Sequence, residues 1–160
     1  MESWHEFLVA LAGASGALVG LIIVAMSISL DLLMKAPNLI SRGAACLELL
    51  TGVLLVSCAL LMPDLGDQAI GSIILIGGVA IWAVTTASSI RSLVAGGHAY
   101  RGRGLFALAL FQLATIPQIV AGIAAFRMGA DAMYILAIAF IVTFGVAVLD
   151  AWVLMIEVRR

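Results

Sequence analysis

Five long apolar runs dominate the pattern of this chain, and short stretches between them hold most of the charged residues. The runs cover residues 7–30, 44–62, 69–90, 105–126 and 133–156. At about 1.5 Å per residue, each run is close to the length needed to cross a hydrocarbon core about 30 Å thick. Backbone polar groups in lipid must be satisfied within their own segment, so we predict five helices. The pattern therefore predicts an all-α membrane protein, a single transmembrane domain of five helices over residues 1–160.

Composition agrees with this prediction. Hydrophobic residues make up 64% of the chain, and the mean hydropathy is +1.24. Both values lie outside the range of soluble domains. No basic patch is long enough to follow a phosphate backbone, so we expect no nucleic-acid partner. Cys46 and Cys58 are expected to be reduced core residues of the second helix.

The placement of lysine and arginine predicts an orientation. If all five runs cross the bilayer, seven of the eight basic residues lie on one side: Lys35, Arg42, Arg91, Arg101, Arg103, Arg159 and Arg160. Only Arg127 lies on the other side. A second run that did not cross would divide these residues five to three. Because cytoplasmic loops carry an excess of Lys and Arg, we predict five spans with the N-terminus outside and the C-terminus in the cytoplasm.

Residues 13–16 read Gly-Ala-Ser-Gly, the G-x-S-G form found in intramembrane serine proteases. A serine nucleophile needs a base within hydrogen-bond reach. The two histidines, His5 and His98, both lie outside the apolar runs, so we predict no catalytic residue and no enzyme activity. Two isolated histidines and two cysteines on one helix also give no metal site. We expect no cofactor.

Small residues form a stripe on the first helix. Its members recur at alternating steps of four and three: Gly13, Ala17, Gly20, Val24, Ser27 and Asp31. Gly16 and Gly20 also form a G-x-x-x-G pair, which allows two helix backbones to approach closely. The stripe either packs within the subunit, or it lines a subunit interface or a narrow pore in a homo-oligomer. In the second case Asp31 lies near the cytoplasmic mouth.

Polar side chains recur at one depth, in the cytoplasmic half of every run. They are Ser27, Glu48, Thr51, Thr85, Thr86, Gln112 and Asp150. An ionisable group within a span indicates a functional site, so Glu48 and Asp150 are the strongest candidates for an ion or proton site. If they face each other, they share a proton through Gln112 or the threonines.

A structural role for the same residues is the alternative. Glu48 could pair with Arg42, and Asp150 could pair with the C-terminal arginines. The hydroxyl groups of this layer could bond to carbonyls of their own helices.

Pro117 lies in the middle of the fourth run and predicts a kink, because it cannot donate a hydrogen bond to the carbonyl of Leu113. The neighbouring Gln118 could satisfy the backbone groups that are set free.

The first helix resembles that of a group of small bacterial integral membrane proteins, sometimes labelled modulators of a membrane-bound AAA protease. Their pattern is an aromatic residue, A-G-A, a run of small residues, G-L, and V-A-x-S. The matching positions are Phe7, Ala12, Gly13, Ala14, Gly20, Leu21, Val24, Ala25 and Ser27. The resemblance covers mainly the first 30 residues. It implies a multi-pass protein of the bacterial inner (plasma) membrane and transfers no catalytic residue.

Two functions therefore follow from the sequence. The first is a homo-oligomeric ion or proton channel or transport protein that uses the polar layer. The second is a non-catalytic scaffold or regulatory subunit. It would act on a membrane or cytoplasmic protein partner through the 91–104 connection and its arginines, Arg91, Arg101 and Arg103.

Overall fold

The computed structural model describes residues 2–30, 37–95 and 97–158, and within these ranges it contains helices and turns but no strand. The helices are α1 (Glu2–Ile28), α2 (Pro37–Leu60), α3 (Asp67–Ala95), α4 (Gly97–Met128) and α5 (Ala132–Val158). A short 3-10 helix, Gly129–Asp131, joins α4 to α5. The predicted all-α class and the five apolar helices are confirmed. Asp31 and Lys35 lie outside the described residues.

Each helix contains a segment long and apolar enough to cross a membrane. These segments are Trp4–Ile28, Gly43–Leu60, Asp67–Arg91, Gly104–Met128 and Ala132–Val153. They agree with the predicted runs to within a few residues. The molecule therefore has the build of a multi-pass membrane protein, and its orientation in the bilayer stays a prediction.

The predicted 91–104 connection is helical rather than a loop. Helix α3 continues to Ala95, and α4 begins at Gly97. Hydropathy marks where a helix leaves the lipid, but a helix can continue into water where no proline stops it. The described part of α4 begins at Gly97, and residue 96 lies outside the described residues.

Four helices form a closed ring, and the fifth lies outside it. Helix α2 contacts α3 and α5, and α4 contacts the same two helices from the other side. Helix α1 packs against α2 on the outside of this four-helix ring. Near its N-terminus it also reaches α5, where the rings of Trp4 and Tyr134 meet edge to face with centroids 4.8 Å apart. The core inside the ring is apolar and includes the fully buried Leu49, Ile74 and Phe140.

Helices α3 and α4 approach so closely that a side chain would not fit between them. A Cβ atom added at Gly122 would lie 2.6 Å from the Cα of Leu75 and 2.7 Å from its backbone nitrogen. At Gly78 an added Cβ would lie 3.2 Å from the backbone nitrogen of Ile119. Small residues at a crossing of this kind are typical of helices that pack in a membrane.

The two ends of the bundle differ. We call the end that carries residues 61–66 and the turn between α4 and α5 the hairpin end. The opposite end, where α3 passes to α4, is the α3–α4 end. The N-terminus of α1 lies at the hairpin end, beside Tyr134.

Candidate functional site

Asp150 is the most deeply buried carboxylate among the described residues. It lies on α5 near the α3–α4 end, with only 5% of its surface exposed. The thiol of the fully buried Cys46 on α2 donates to Asp150 Oδ2 at 3.2 Å. A buried carboxylate is stable only when hydrogen bonds or charges around it replace water. The Cys46–Asp150 pair therefore joins α2 to α5 inside the ring.

Glu48 belongs to a separate contact on the other side of α2. The hydroxyl of Ser88 on α3 lies 3.0 Å and 3.2 Å from the two carboxylate oxygens of half-buried Glu48. Residues two positions apart on a helix point to nearly opposite sides, since each residue turns the chain by about 100°. Cys46 therefore faces α5 while Glu48 faces α3. The structure does not bring Glu48 and Asp150 together.

Gln112, the expected link between those carboxylates, lies elsewhere. Its Oε1 accepts from Trp82 Nε1 at 2.6 Å, and its Nε2 donates to Thr86 Oγ1 at 3.0 Å. Trp82 is 37% exposed, so this Trp82–Gln112–Thr86 triad lies at the outer surface of α3 and α4. The neighbouring Thr85 is buried and donates to the carbonyl of Ile81 at 2.8 Å. The members of the predicted layer are therefore divided among separate contacts.

The serines of α1 bond to their own helix. Ser27 is exposed and donates to the carbonyl of Ile23 at 2.8 Å. Ser15, the serine of the G-x-S-G string, is buried and donates to the carbonyl of Leu11. A serine within an apolar helix commonly satisfies its hydroxyl donor in this way, by a bond to the carbonyl four residues earlier. In the part of the chain that the structure describes, no three His, Cys, Asp or Glu residues are grouped as metal ligands.

The stripe of small residues on α1 points away from the rest of the subunit. Its described members are all exposed: Gly13, Ala17, Gly20, Val24 and Ser27. A Cβ atom added at Gly13, Gly16 or Gly20 would meet nothing within 4 Å. The buried side of α1 consists instead of Leu8, Leu11 and Ser15. The stripe is therefore not a packing surface within the subunit.

A second buried polar cluster lies deeper in the bundle, between α4 and α5. Gln118 Nε2 donates to Thr143 Oγ1 at 2.8 Å. The hydroxyl of Thr143 lies 2.9 Å from the carbonyl of Ala139 and 3.0 Å from that of Ala114. Gln118 Nε2 lies 3.4 Å from the same Ala114 carbonyl. The side-chain amide of Gln118 therefore donates to Thr143 on α5 and to the carbonyl of Ala114, and not to the carbonyl of Leu113.

Helix α4 continues through Pro117. The kink at this position remains a prediction.

Sequence reasoning missed Cys46, Ser88 and Thr143 as partners of the polar residues. It grouped both cysteines as core residues, but Cys58 is exposed. The one available signal was the spacing of Thr143 and Asp150, which lie seven positions apart and therefore on one face of α5. Which residues become partners depends on the order of the helices around the ring. The spacing of residues within one helix gives no information about that order.

No protein-family model, curated protein or solved structure matches this chain. The candidate site therefore depends on its geometry alone.

Proposed function

We propose that this protein is a small homo-oligomeric membrane protein that conducts ions or protons, with Asp150 as its ion- or proton-binding group. The observation that carries the proposal is the burial of this carboxylate inside the ring, where it contacts the thiol of Cys46. Ionisable groups enclosed by transmembrane helices are costly and usually lie on an ion or proton path. We place the α3–α4 end in the cytoplasm of a bacterial inner membrane, because of its arginines and the resemblance of α1.

Buried apolar side chains lie between Asp150 and the deeper Gln118–Thr143 contact. On α5, Val146 and Ala147 separate Thr143 from Asp150 and are both buried. Thr143 and Asp150 are about 10 Å apart along the helix, since each residue rises about 1.5 Å. Conduction through one subunit therefore requires these apolar residues to move. A path between subunits would bypass Asp150, because this carboxylate is buried within its own subunit, so the proposal requires a path through the ring.

The exposed stripe of α1 supports assembly from several copies. Glycines that face lipid gain no packing, whereas glycines that face another helix allow close backbone contact. We propose that Gly20 and its neighbours on the stripe contact a second copy of the chain.

A flux assay tests the role of Asp150. The purified protein is reconstituted in liposomes that contain a pH dye, and a potassium diffusion potential drives proton entry. The expected result is flux in the wild type that is lost in Asp150→Asn. Asp64→Asn is the matched control, since Asp64 is exposed in a turn with φ of 55°, a conformation that asparagine tolerates. If Asp150→Asn conducts like the wild type, Asp150 is not the site.

Glu48→Gln tests whether the carboxylate of Glu48 shares the role proposed for Asp150. Because Glu48 lies on the other side of α2, we expect this variant to keep its flux. Repeating the assay with sodium and potassium indicators identifies the ion. If the wild type gives no flux with any of these probes, the conduction proposal fails and the second function takes its place.

A pair of glycine substitutions tests the assembly. Gly20→Leu is expected to lower the number of subunits counted by photobleaching in lipid nanodiscs. Gly145→Leu is the control, since Gly145 on α5 is also exposed and an added Cβ meets nothing within 4 Å. Equal subunit numbers in the two variants would exclude the stripe as the contact.

A regulator or scaffold is the second candidate. It is favoured by the helical extension of α3 and α4 beyond the membrane-spanning segments, which end at Arg91 and begin again at Gly104. Arg101 and Arg103 lie on the first turns of α4 within this extension. We expect a protein partner to copurify with the wild type and to be lost from Arg101→Ala/Arg103→Ala, whereas Arg127→Ala at the hairpin end keeps it. A partner retained by the double variant would exclude this surface.

A further inference from the structure

The carbonyl oxygen of the Gln118 side chain has no hydrogen-bond partner among the described residues. The side chain is only 1% exposed, and its amino group is occupied by Thr143 and Ala114. All residues of the five membrane-spanning segments are described. The protein donors at this depth are therefore known, and none of them reaches Gln118 Oε1.

The surroundings of Gln118 explain why no side chain fills this role. The residue of α3 that lies against it is Gly78, which has no side chain to donate. A Cβ added at Gly78 would lie 3.3 Å from the backbone carbon of Gln118 and 3.4 Å from its Cβ. Thr115 lies one turn earlier on the same face of α4 and is fully buried. Its hydroxyl donates to the carbonyl of Phe111 at 2.8 Å and keeps lone pairs that can accept.

We propose that Gln118 Oε1 binds a buried water molecule, held between α4 and α5 in the middle of the bundle. The water donates one hydrogen to Gln118 Oε1 and the other to the hydroxyl of Thr115 or Thr143. Buried waters typically make about three hydrogen bonds to otherwise unsatisfied polar groups. Orphan buried acceptors are the positions where such waters are found. This site does not depend on the proposed function and exists whether or not the protein conducts ions.

Water fits this position better than a metal cation. The described polar groups of the cluster are a neutral amide, two hydroxyls and backbone carbonyls, and they carry no charge. Asp150 lies about 10 Å away along α5, at about 1.5 Å per residue. A cation stripped of its hydration shell requires charged ligands or several free oxygen ligands, whereas the hydroxyls and carbonyls of this cluster already bond to one another.

Selective labelling of glutamine provides a direct test. The chain has three glutamines, Gln68, Gln112 and Gln118, so protein labelled with ¹⁵N-glutamine gives three side-chain amide signals. Water-edited solid-state NMR of the full chain in lipid then reports which amides lie beside water. Gln68 is exposed at the start of α3 and is the positive control. Gln112 in the Trp82–Gln112–Thr86 triad is the control for an amide that faces lipid.

We expect Gln118 to receive magnetisation from water as Gln68 does, although it is buried. We also expect this transfer to fall in Thr115→Val or Thr143→Val. Gln68→Glu and Gln112→Met assign the other two signals, so Gln118 is identified even if its own substitution fails to fold. Absence of transfer to Gln118 would overturn the proposal. A Gln118 signal that shifts when N-methyl-D-glucamine replaces sodium and potassium, without transfer from water, would overturn it in favour of a cation.

Discussion

Gly122→Ala is expected to force α3 and α4 apart, because Gly122 lies directly against the backbone of Leu75. The new Cβ would lie 2.6 Å from the Cα of Leu75, whereas carbon atoms in contact are normally about 3.5–4.0 Å apart. The helices must therefore separate by about 1 Å at this point, or α4 must tilt. A backbone cannot rotate away as a side chain can. Overpacking of this kind costs about 1–3 kcal/mol.

The expected magnitude is best measured as a difference between two variants. Alanine raises helix propensity by about 1 kcal/mol over glycine, which hides part of the cost at Gly122. Gly145→Ala gains the same propensity at a position where an added Cβ meets nothing within 4 Å. The difference between the two variants therefore isolates the crossing, and we expect Gly122→Ala to be less stable by about 1–3 kcal/mol.

Unfolding in mixed micelles with increasing sodium dodecyl sulfate, followed by circular dichroism, gives the free energy of unfolding of both variants. Equal stabilities within about 0.5 kcal/mol, the usual limit of additivity between sites, would refute the close approach of α3 and α4 at this crossing.

Three further predictions use the same purified protein. Thr143→Val removes the nearer of the two acceptors of the buried Gln118 amide and is expected to lower the free energy of unfolding by about 1–3 kcal/mol; an unchanged free energy of unfolding would contradict a contribution of this hydrogen bond to stability. Trp82→Phe removes the donor to Gln112 and is expected to lower the free energy of unfolding by only about 0.5–2 kcal/mol, the range for hydrogen bonds between transmembrane helices. A double-mutant cycle with Gln112→Leu measures the coupling energy between the two side chains. A coupling energy of zero would contradict the hydrogen bond. A membrane-permeant maleimide should modify the exposed Cys58 in the folded protein but reach the buried Cys46 only after unfolding, as mass spectrometry of the labelled peptides can determine; rapid labelling of both thiols would contradict the burial of Cys46.

The sequence predicts the helices well, because the membrane imposes the same requirement on each of them. An apolar run of sufficient length must be a helix wherever it lies in the bundle. The residues at which α3 ends and α4 begins were harder to predict. The hydropathy pattern from Arg91 to Gly104 marks where the chain leaves the lipid, and a helix can continue beyond that point.

The contacts of the candidate site could not be predicted from depth alone. Counting along each run predicts that Glu48, Gln112 and Asp150 lie at one level. Which of them face each other depends on the closed order of α2 to α5 around the ring and on the angle of each helix. The small step from Cys46 to Glu48 on α2 decides between two different neighbours, α5 and α3. The local sequence does not indicate which neighbouring helix each of these two residues contacts.

The ring has a consequence for how the chain is made. Helix α5 closes it against α2, and α5 leaves the ribosome after α1 to α4. Until that moment Gln118 on α4 has no contact with Thr143, and Cys46 on α2 has no contact with Asp150. The nascent chain must therefore keep polar groups in a lipid environment until α5 has been made. A chain that stopped before residue 132 would retain the α3–α4 crossing but expose an unfilled, partly polar groove to the insertion machinery and to membrane proteases.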